Sequence, residues 1–443
     1  MVKTRISDHF TYRKLIRFVL PSVMMLVFIS VYGVVDGFFI SNYAGKTAFA
    51  AINLILPVLM ILGGMGFMIG TGGSALVAMS LGQKKETEAN AYFSMLIEFT
   101  VVLGVLLTVL GEIFLRRVSI ALGATSEMLP DCLIYGRIWL LLIGPFMLQS
   151  LFQSMLITAG KPQLGFGVTV AAGFANMLLD YLFVAVFRRG VAGAAAATAL
   201  SQCVGGLIPL IYFAFAENAG LRFRPVGLRM HPLLKACGNG SSELMSNVSS
   251  SLVSIVYNIQ LLRHAGENGV AAYGVMMYVN FIFIAMFIGY SVGTAPIVSF
   301  HYGAGNADEL KNMLKKSTHI MAVSGVLMTA VAELFAYSFA KIFVSYDAGL
   351  LALTVQGFRI FCVSFLLCGL NIYISSFFTA LNNGAVSAAV SFLRSLVFEL
   401  LAVLLLPLIL GLTGIWAAVS VAEVMAFAVS MFFLVWNRDK YHY

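Results

Sequence analysis

The chain has 443 residues, 60% of them hydrophobic and 10% charged, with a formal net charge of +8. A soluble globular chain carries about 25% charged residues, so an ordinary water-soluble domain is excluded, and the mean hydropathy of +0.95 points to lipid. Apart from Arg137, Arg359 and Arg394, the basic residues lie in or beside the short segments between apolar runs, which excludes a nucleic-acid-binding stripe.

Apolar runs long enough to cross a ~30 Å hydrocarbon core occur twelve times, at about 15–41, 49–79, 90–114, 131–158, 163–187, 191–215, 236–262, 269–300, 318–340, 350–381, 385–410 and 413–436. Lys3, Arg5, Arg13, Lys14 and Arg17 precede the first run. That run is too long for a signal peptide and has no small-residue cleavage site, so it is expected to remain as span one. With the N-terminus cytoplasmic, seventeen Lys and Arg fall in inner segments and seven in outer ones, which favours both termini inside. The expected setting is the inner membrane of a prokaryote, and the expected state a monomer. The five cysteines have neither metal nor CxxC spacing and read as small packing residues.

Span one carries Pro21, Tyr32 and Asp36, and span two carries Pro57 with Gly63, Gly64, Gly66, Gly70, Gly72 and Gly73. No GK[ST] follows these glycines, so they read as close helix packing and not as a phosphate loop. Span five holds Asn176, Met177 and Asp180, and span six holds the GAAAAT run that ends at Thr198. Glu399 and Arg394 lie in span eleven and Glu423 in span twelve. Asn247 begins a glycosylation sequon but lies inside span seven, and His301 at the end of span eight reads as interfacial. No HExxH, GxSxG or metal-ligand spacing is present, so no enzyme and no cofactor are expected.

A fixed shift of 221 residues lays the second half on the first. It superposes Ala44-Gly45 on Ala265-Gly266, Gly72 on Gly293, Gly82 on Gly303 and Glu112 on Glu333. Ser154 and Thr158 fall on Ser375 and Thr379, and Gly193 on Gly414. The expected fold is therefore an all-α polytopic membrane protein whose twelve helices form two parallel six-helix repeats around a central cavity. The expected units are a first lobe at 1–213, a basic cytoplasmic linker at 214–235 and a second lobe at 236–443. Parallel repeats of this kind are typical of secondary transporters.

At 1.5 Å per residue, Asp36 lies about 9 Å below the outer end of span one, Asp180 about 12 Å below that of span five and Thr198 about 10 Å down span six. Asn176 is one turn from Asp180, and Tyr32 one turn from Asp36. This set of carboxylates, amide, hydroxyl and phenol suits a hard monovalent cation such as Na+ or a shared proton. The rival reading is structural hydrogen bonding. Against it, the 221 shift places Tyr257, Val397, Leu401 and Val419 where the first half has Asp36, Asn176, Asp180 and Thr198. The set thus belongs to the first half and is not demanded by the fold.

The chain resembles the multidrug and toxic compound extrusion (MATE) transporters. The resemblance rests on Pro21 and Asp36 in span one, NLILP at 53–57 with the following glycines, SLGQKKETEA at 80–89, NMLLDYLF, and GVAGAAAATALSQ. It implies exchange of amphipathic, often cationic organic compounds for H+ or Na+. It also implies cation-coupling roles for Asp36, Asn176, Asp180 and Thr198, a bending role for Pro21, and a site role for Tyr32. Another branch uses acidic residues in spans seven and ten. Here span seven has Glu243 near its inner end and span ten has none. The cavity is expected to be lined by Tyr32, Met177, Tyr257, Met276, Met277 and Tyr278. Arg394, Glu399 and Glu423 read either as a structural ion cluster or as a substrate contact. The alternative function is a flippase for a lipid-linked sugar or cell-wall precursor, which requires cationic groups in the cavity.

Overall fold

The computed structural model describes residues 5–40, 43, 46–216, 220–224, 226–345 and 347–443. The pair Ala44-Gly45, used above for the repeat, lies outside the described residues. Among the described residues ten helices are long and apolar enough to cross a membrane, and a pair bent by 55°, Leu129–Leu141 and Ile143–Thr158, is long and apolar enough when taken as one broken span. One of the ten, Ser241–Gly303, has 63 residues, roughly 95 Å if straight and about three times the hydrocarbon thickness. It breaks at Gly266, whose φ of 61° and ψ of −153° are accessible in practice only to glycine. Its two parts are spans seven and eight, and the total is twelve. Both termini therefore lie on one face, called here the termini face.

The repeat is visible in three dimensions. The kink after Leu141 in span four and the 3₁₀ turn Cys362–Ser364 in span ten fall together under the 221 shift. Each break frees carbonyl oxygens inside the membrane, where an unpaired one is costly, and a threonine on the neighbouring span answers it. Thr108 Oγ1 donates to Leu140 O at 2.7 Å and Thr329 Oγ1 to Cys362 O at 3.3 Å. Beside these breaks, Glu112 pairs with Arg137 at 3.5 Å and Glu333 with Arg359 at 3.6 Å.

Two buried cores correspond to the two halves, and each half lends its leading segment to the other's core. The first-half core includes Leu221, Leu233 and Ala236 from the connector and the helix Met230–Asn239. The second-half core includes Ile6, Phe10 and Leu15 from the N-terminal segment. Hydrogen bonds fix both crossings. Phe10 N–H donates to Glu309 Oε1 at 3.0 Å and Phe10 O accepts from Asn312 at 3.0 Å and Lys316 at 2.6 Å. His9 Nδ1 lies 2.6 Å from Glu309 Oε2. On the other side, Arg222 N–H donates to Asn90 Oδ1 at 2.7 Å, Arg224 N–H to Ser94 Oγ at 2.9 Å, and Val226 and Gly227 N–H to the two Glu98 oxygens at 2.8 and 3.0 Å.

The halves also meet helix to helix, through glycines on the termini-face side. A Cβ built on Gly82 would overlap the Phe300 carbonyl oxygen, and one on Gly303 the Met79 carbonyl oxygen. These are the same contact under the 221 shift. Farther along span eight, a Cβ on Gly289 would stand 2.6 Å from Val23 Cα of span one. Such close backbone approach is how helices without a hydrophobic driving force associate in lipid.

Because backbone lies opposite, neither neighbour can yield by a rotamer change. Gly82→Ala is expected to destabilise the protein by about 1–3 kcal/mol, the usual cost of overpacking, read as a lower thermal midpoint in detergent. Gly167, with nothing within 4 Å of a built Cβ, is the control, and Gly167→Ala should leave the midpoint unchanged or raise it. Equal midpoints for Gly82→Ala and wild type would refute this account of the interface.

Candidate functional site

The site forms where spans one, four, five and six converge toward the face opposite the termini. Spans one and five are drawn together by Gly173, where a Cβ would overlap Phe28 and stand 2.9 Å from Tyr32 Cδ1. One turn farther on each helix come Asn176 and Asp36, and Asp180 follows at the last α-helical position of Pro162–Asp180. Directly after it the helix widens into the π-helical turn Tyr181–Val186. Such insertions recur at functional sites because they re-aim side chains and loosen the ladder. Span six seals the back, with Gly193 packed against the Phe183 carbonyl of that turn (2.9 Å from a built Cβ).

Asp36 and Asp180 face each other, their carboxyl groups within reach of one shared proton. Asp180 is 0% and Asn176 1% exposed. Both oxygens of Asp180, Oδ1 of Asp36, Nδ2 of Asn176 and Oγ1 of Thr198 are buried without a hydrogen-bond partner. Ionised carboxylates only accept hydrogen bonds, so their mutual approach satisfies neither. Leaving such groups unpaired costs about 1–3 kcal/mol each, and more when they are charged. The two facing carboxylates thus make the pocket electron-rich. A proton or a small cation supplies what the protein does not.

All four residues selected from the sequence lie at this place. Tyr32, half-buried, stands in the field of Asp36 and reaches Gln149. Met177 is half-buried beside Asn176. Pro21 sits far down the uninterrupted helix Tyr12–Phe39, on the termini-face side. Sequence reasoning missed Tyr135 of span four, 1% exposed, whose hydroxyl stands beside Thr198 in the field of both carboxylates. The depth rule used for the other residues would have found it, since Tyr135 lies about 9 Å down from Leu129, level with Asp36. Gln149 and Gln202, each with a buried unpartnered Oε1, border the same region. Their types carry no charge to draw attention.

The second half is built differently at the corresponding depth. Glu423 receives Arg394 through Nη2 at 2.7 Å and Nε at 2.9 and 3.1 Å, and Asn371 Nδ2 at 2.7 Å. Arg394 Nη2 also reaches Cys368 Sγ at 3.3 Å. That is a closed, mutually satisfied pair. Glu399 stands apart from it, at the end of a second π-helical turn, Leu393–Phe398, in the field of Arg394 and Glu423. It faces Tyr257 and Tyr273, which stack at 5.1 Å. Of the expected cavity residues, Tyr257 and Met276 are both 1% exposed and belong to the second-half core. Met276 packs at Gly357 of span ten. Tyr278 is exposed and stacked on Phe343 at 5.6 Å. Among the described residues no group of three or more His, Cys, Asp or Glu is arranged for a metal ion.

Comparison with known proteins finds the MatE family model matching once in each half, at residues 21–182 and 243–404. Multidrug export protein MepA of Staphylococcus haemolyticus (strain JCSC1435) is 23% identical over 97% of this chain and 94% of its own length. A crystal structure of MATE in complex with MaL6 superposes with a TM-score of 0.91 at 21% identity, covering 98% of this chain and 97% of that one. An outward-facing conformation of a multidrug resistance MATE family transporter of the MOP superfamily superposes equally well, with a TM-score of 0.91 at 22% identity over 98% and 97% of the two chains.

Two substitutions separate the unsatisfied site from the satisfied one. Asp180→Asn removes a partnerless buried charge and brings a donor to face Asp36. It is expected to raise the thermal midpoint in cation-poor buffer, by the equivalent of about 1–3 kcal/mol. Glu423→Gln leaves Arg394 buried without its counter-charge and is expected to cost about 3–5 kcal/mol. Replacing both partners with apolar residues should recover most of that loss. Differential scanning fluorimetry of the purified variants distinguishes the two cases, and shifts in the opposite sense would contradict the assignment.

Proposed function

The chain belongs to the MatE family, and on that premise we propose that it is a secondary antiporter exporting amphipathic, often cationic organic compounds in exchange for H+ or Na+. The observation that carries this reading is the pair Asp36 and Asp180, facing each other with three of their four oxygens buried and without a hydrogen-bond partner. A coupling ion and a cationic substrate compete for this one negative charge, and such competition is what an antiporter requires. Asn176, Thr198 and Tyr135 supply the neutral oxygens and the hydroxyl around it. Na+ would be held by Asp36, Asn176, Asp180 and Thr198, and no other cofactor enters the scheme.

Binding from the outside neutralises the pair and lets span one rearrange. Pro21 is the natural place for a bend, because it lacks the N–H that would tie that turn of the helix. The conformation described here is closed on the termini face, where Gly82 and Gly303 lock the halves together. With both termini cytoplasmic, as the basic residues favour, this is an outward-facing state of a prokaryotic inner-membrane protein. Alternating access then requires the glycine contacts to part. The chain acts as a monomer of two lobes, 1–213 and 236–443, and not as an enzyme.

The flippase reading has less support. It needs free cationic groups facing the cavity for a pyrophosphate, and the buried Arg394 is neutralised by Glu423.

Efflux of an organic cation from proteoliposomes, driven by an imposed pH or Na+ gradient, tests the proposal. Wild type is expected to follow one of the two gradients, and Asp36→Asn to lose at least tenfold of the coupled rate. Coupled efflux unchanged in Asp36→Asn would remove the first-half site and redirect attention to Glu399.

A further inference from the structure

Between Gly220 and Gly240 the chain carries Arg222, Arg224, Arg229, His231 and Lys235 and no acidic residue. This connector is laid along the flank of span three by the hydrogen bonds to Asn90, Ser94 and Glu98. Glu98 is eight residues beyond Asn90, about 12 Å along the helix, and so already inside the apolar run that begins near residue 90. Val226 and Gly227 occupy both its oxygens from the backbone, which lets a carboxylate stay at that depth. Val102 and Val105, one and two turns farther on the same face of span three, are 55% and 61% exposed. The connector therefore lies at the boundary of headgroups and acyl chains and does not project into water.

The helix that follows, Met230–Asn239, has its orientation pinned. Leu233 and Ala236 are buried, and a Cβ on Gly72 of span two would overlap the Ala236 carbonyl oxygen. The opposite face is left outward, with Met230 65% and Leu234 64% exposed, and Leu228 just before it 48%. Arg224, Arg229 and Lys235 are exposed among these apolar side chains. A helix that buries one face, shows apolar side chains on the other, and carries Lys and Arg at the rim is built to lie in a membrane surface.

We propose that residues 222–224 and 226–235 form a docking surface for anionic phospholipids of the leaflet on the termini face. Arg224, Arg229 and Lys235 meet the headgroup phosphates, and Leu228, Met230 and Leu234 lie among the acyl chains. Charge and depth together select this occupant. A zwitterionic lipid satisfies the apolar side chains and leaves the net positive charge of the cations uncompensated, whereas a soluble acidic protein satisfies the cations and cannot follow Leu228 to the level of Glu98. Each basic residue beside an anionic surface contributes several-fold to binding. The consequence for the fold is that the covalent link between the halves is held to the bilayer as well as to span three.

Native mass spectrometry of the full-length purified chain tests this without any transport readout, so its outcome is independent of the antiporter reading. The probes are dioleoyl phosphatidylglycerol and dioleoyl phosphatidylcholine added at equal concentration. Wild type is expected to retain phosphatidylglycerol at least tenfold better, and R224Q/R229Q/K235Q to lose that preference. R224K/R229K, which keeps the charge, should retain it. R116Q/R117Q/K341Q, which removes the same charge at the opposite face, should retain it too. Equal retention of the two lipids by wild type, or an undiminished preference in R224Q/R229Q/K235Q, would overturn the proposal. Loss of preference in the opposite-face variant would reduce it to an effect of net charge. An acidic polypeptide that binds residues 222–235 and is not displaced by phosphatidylglycerol would overturn it as well.

Discussion

In a hydrocarbon medium a polar group must be answered by another group of the same chain or by something brought in from outside. Several intramembrane polar groups follow the first alternative. Thr108 and Thr329 answer the carbonyls freed at the breaks of spans four and ten. Arg137 and Arg359 answer Glu112 and Glu333, and Arg394 with Asn371 answers Glu423. Asp36 and Asp180 stand out because they answer only each other, and two acceptors cannot do so without a third party. Two facing acceptors locate the site more sharply than the mere presence of charge, since the buried Glu423 is already paired with Arg394.

The duplication explains how one half came to differ. Two copies of a six-span plan share the close glycine contacts, the broken span and its threonine, and the flanking ion pair. Those are features that the backbone needs in lipid, and both halves keep them. The facing carboxylates Asp36 and Asp180 occur in the first half, and the saturated Arg394–Glu423 pair in the second. Each lies next to a π-helical turn, Tyr181–Val186 in one and Leu393–Phe398 in the other. The turns do not coincide under the 221 shift, so the widened helix is a local device of each half. The exchange of leading segments, N-terminal onto the second half and connector onto the first, ties the halves on the termini face by hydrogen bonds.

Hydropathy, the run lengths and the 221-residue shift determined the twelve spans, the two parallel copies and the common side of the termini, because lipid imposes length and composition on each helix separately. The depth of a residue along its helix is equally local. For that reason Asp36, Asn176, Asp180 and Thr198 were legible as a set, and Tyr135 was within reach of the same arithmetic. Three things were decided only in the folded molecule, where they depend on azimuth and on partners from distant spans. Glu423 and Glu399 look alike in the sequence, yet one is locked by Arg394 and Asn371 and the other faces two stacked tyrosines. Tyr257 and Met276, chosen as cavity residues by type, point into the second-half core. The connector, legible as a basic linker, is bound at the depth of Glu98 only because Asn90, Ser94 and Glu98 share one face of span three and the chain crosses back to meet them. Composition is a property of one segment, whereas satisfaction of a polar group is a property of at least two, and it is the second that separates a site from a scaffold.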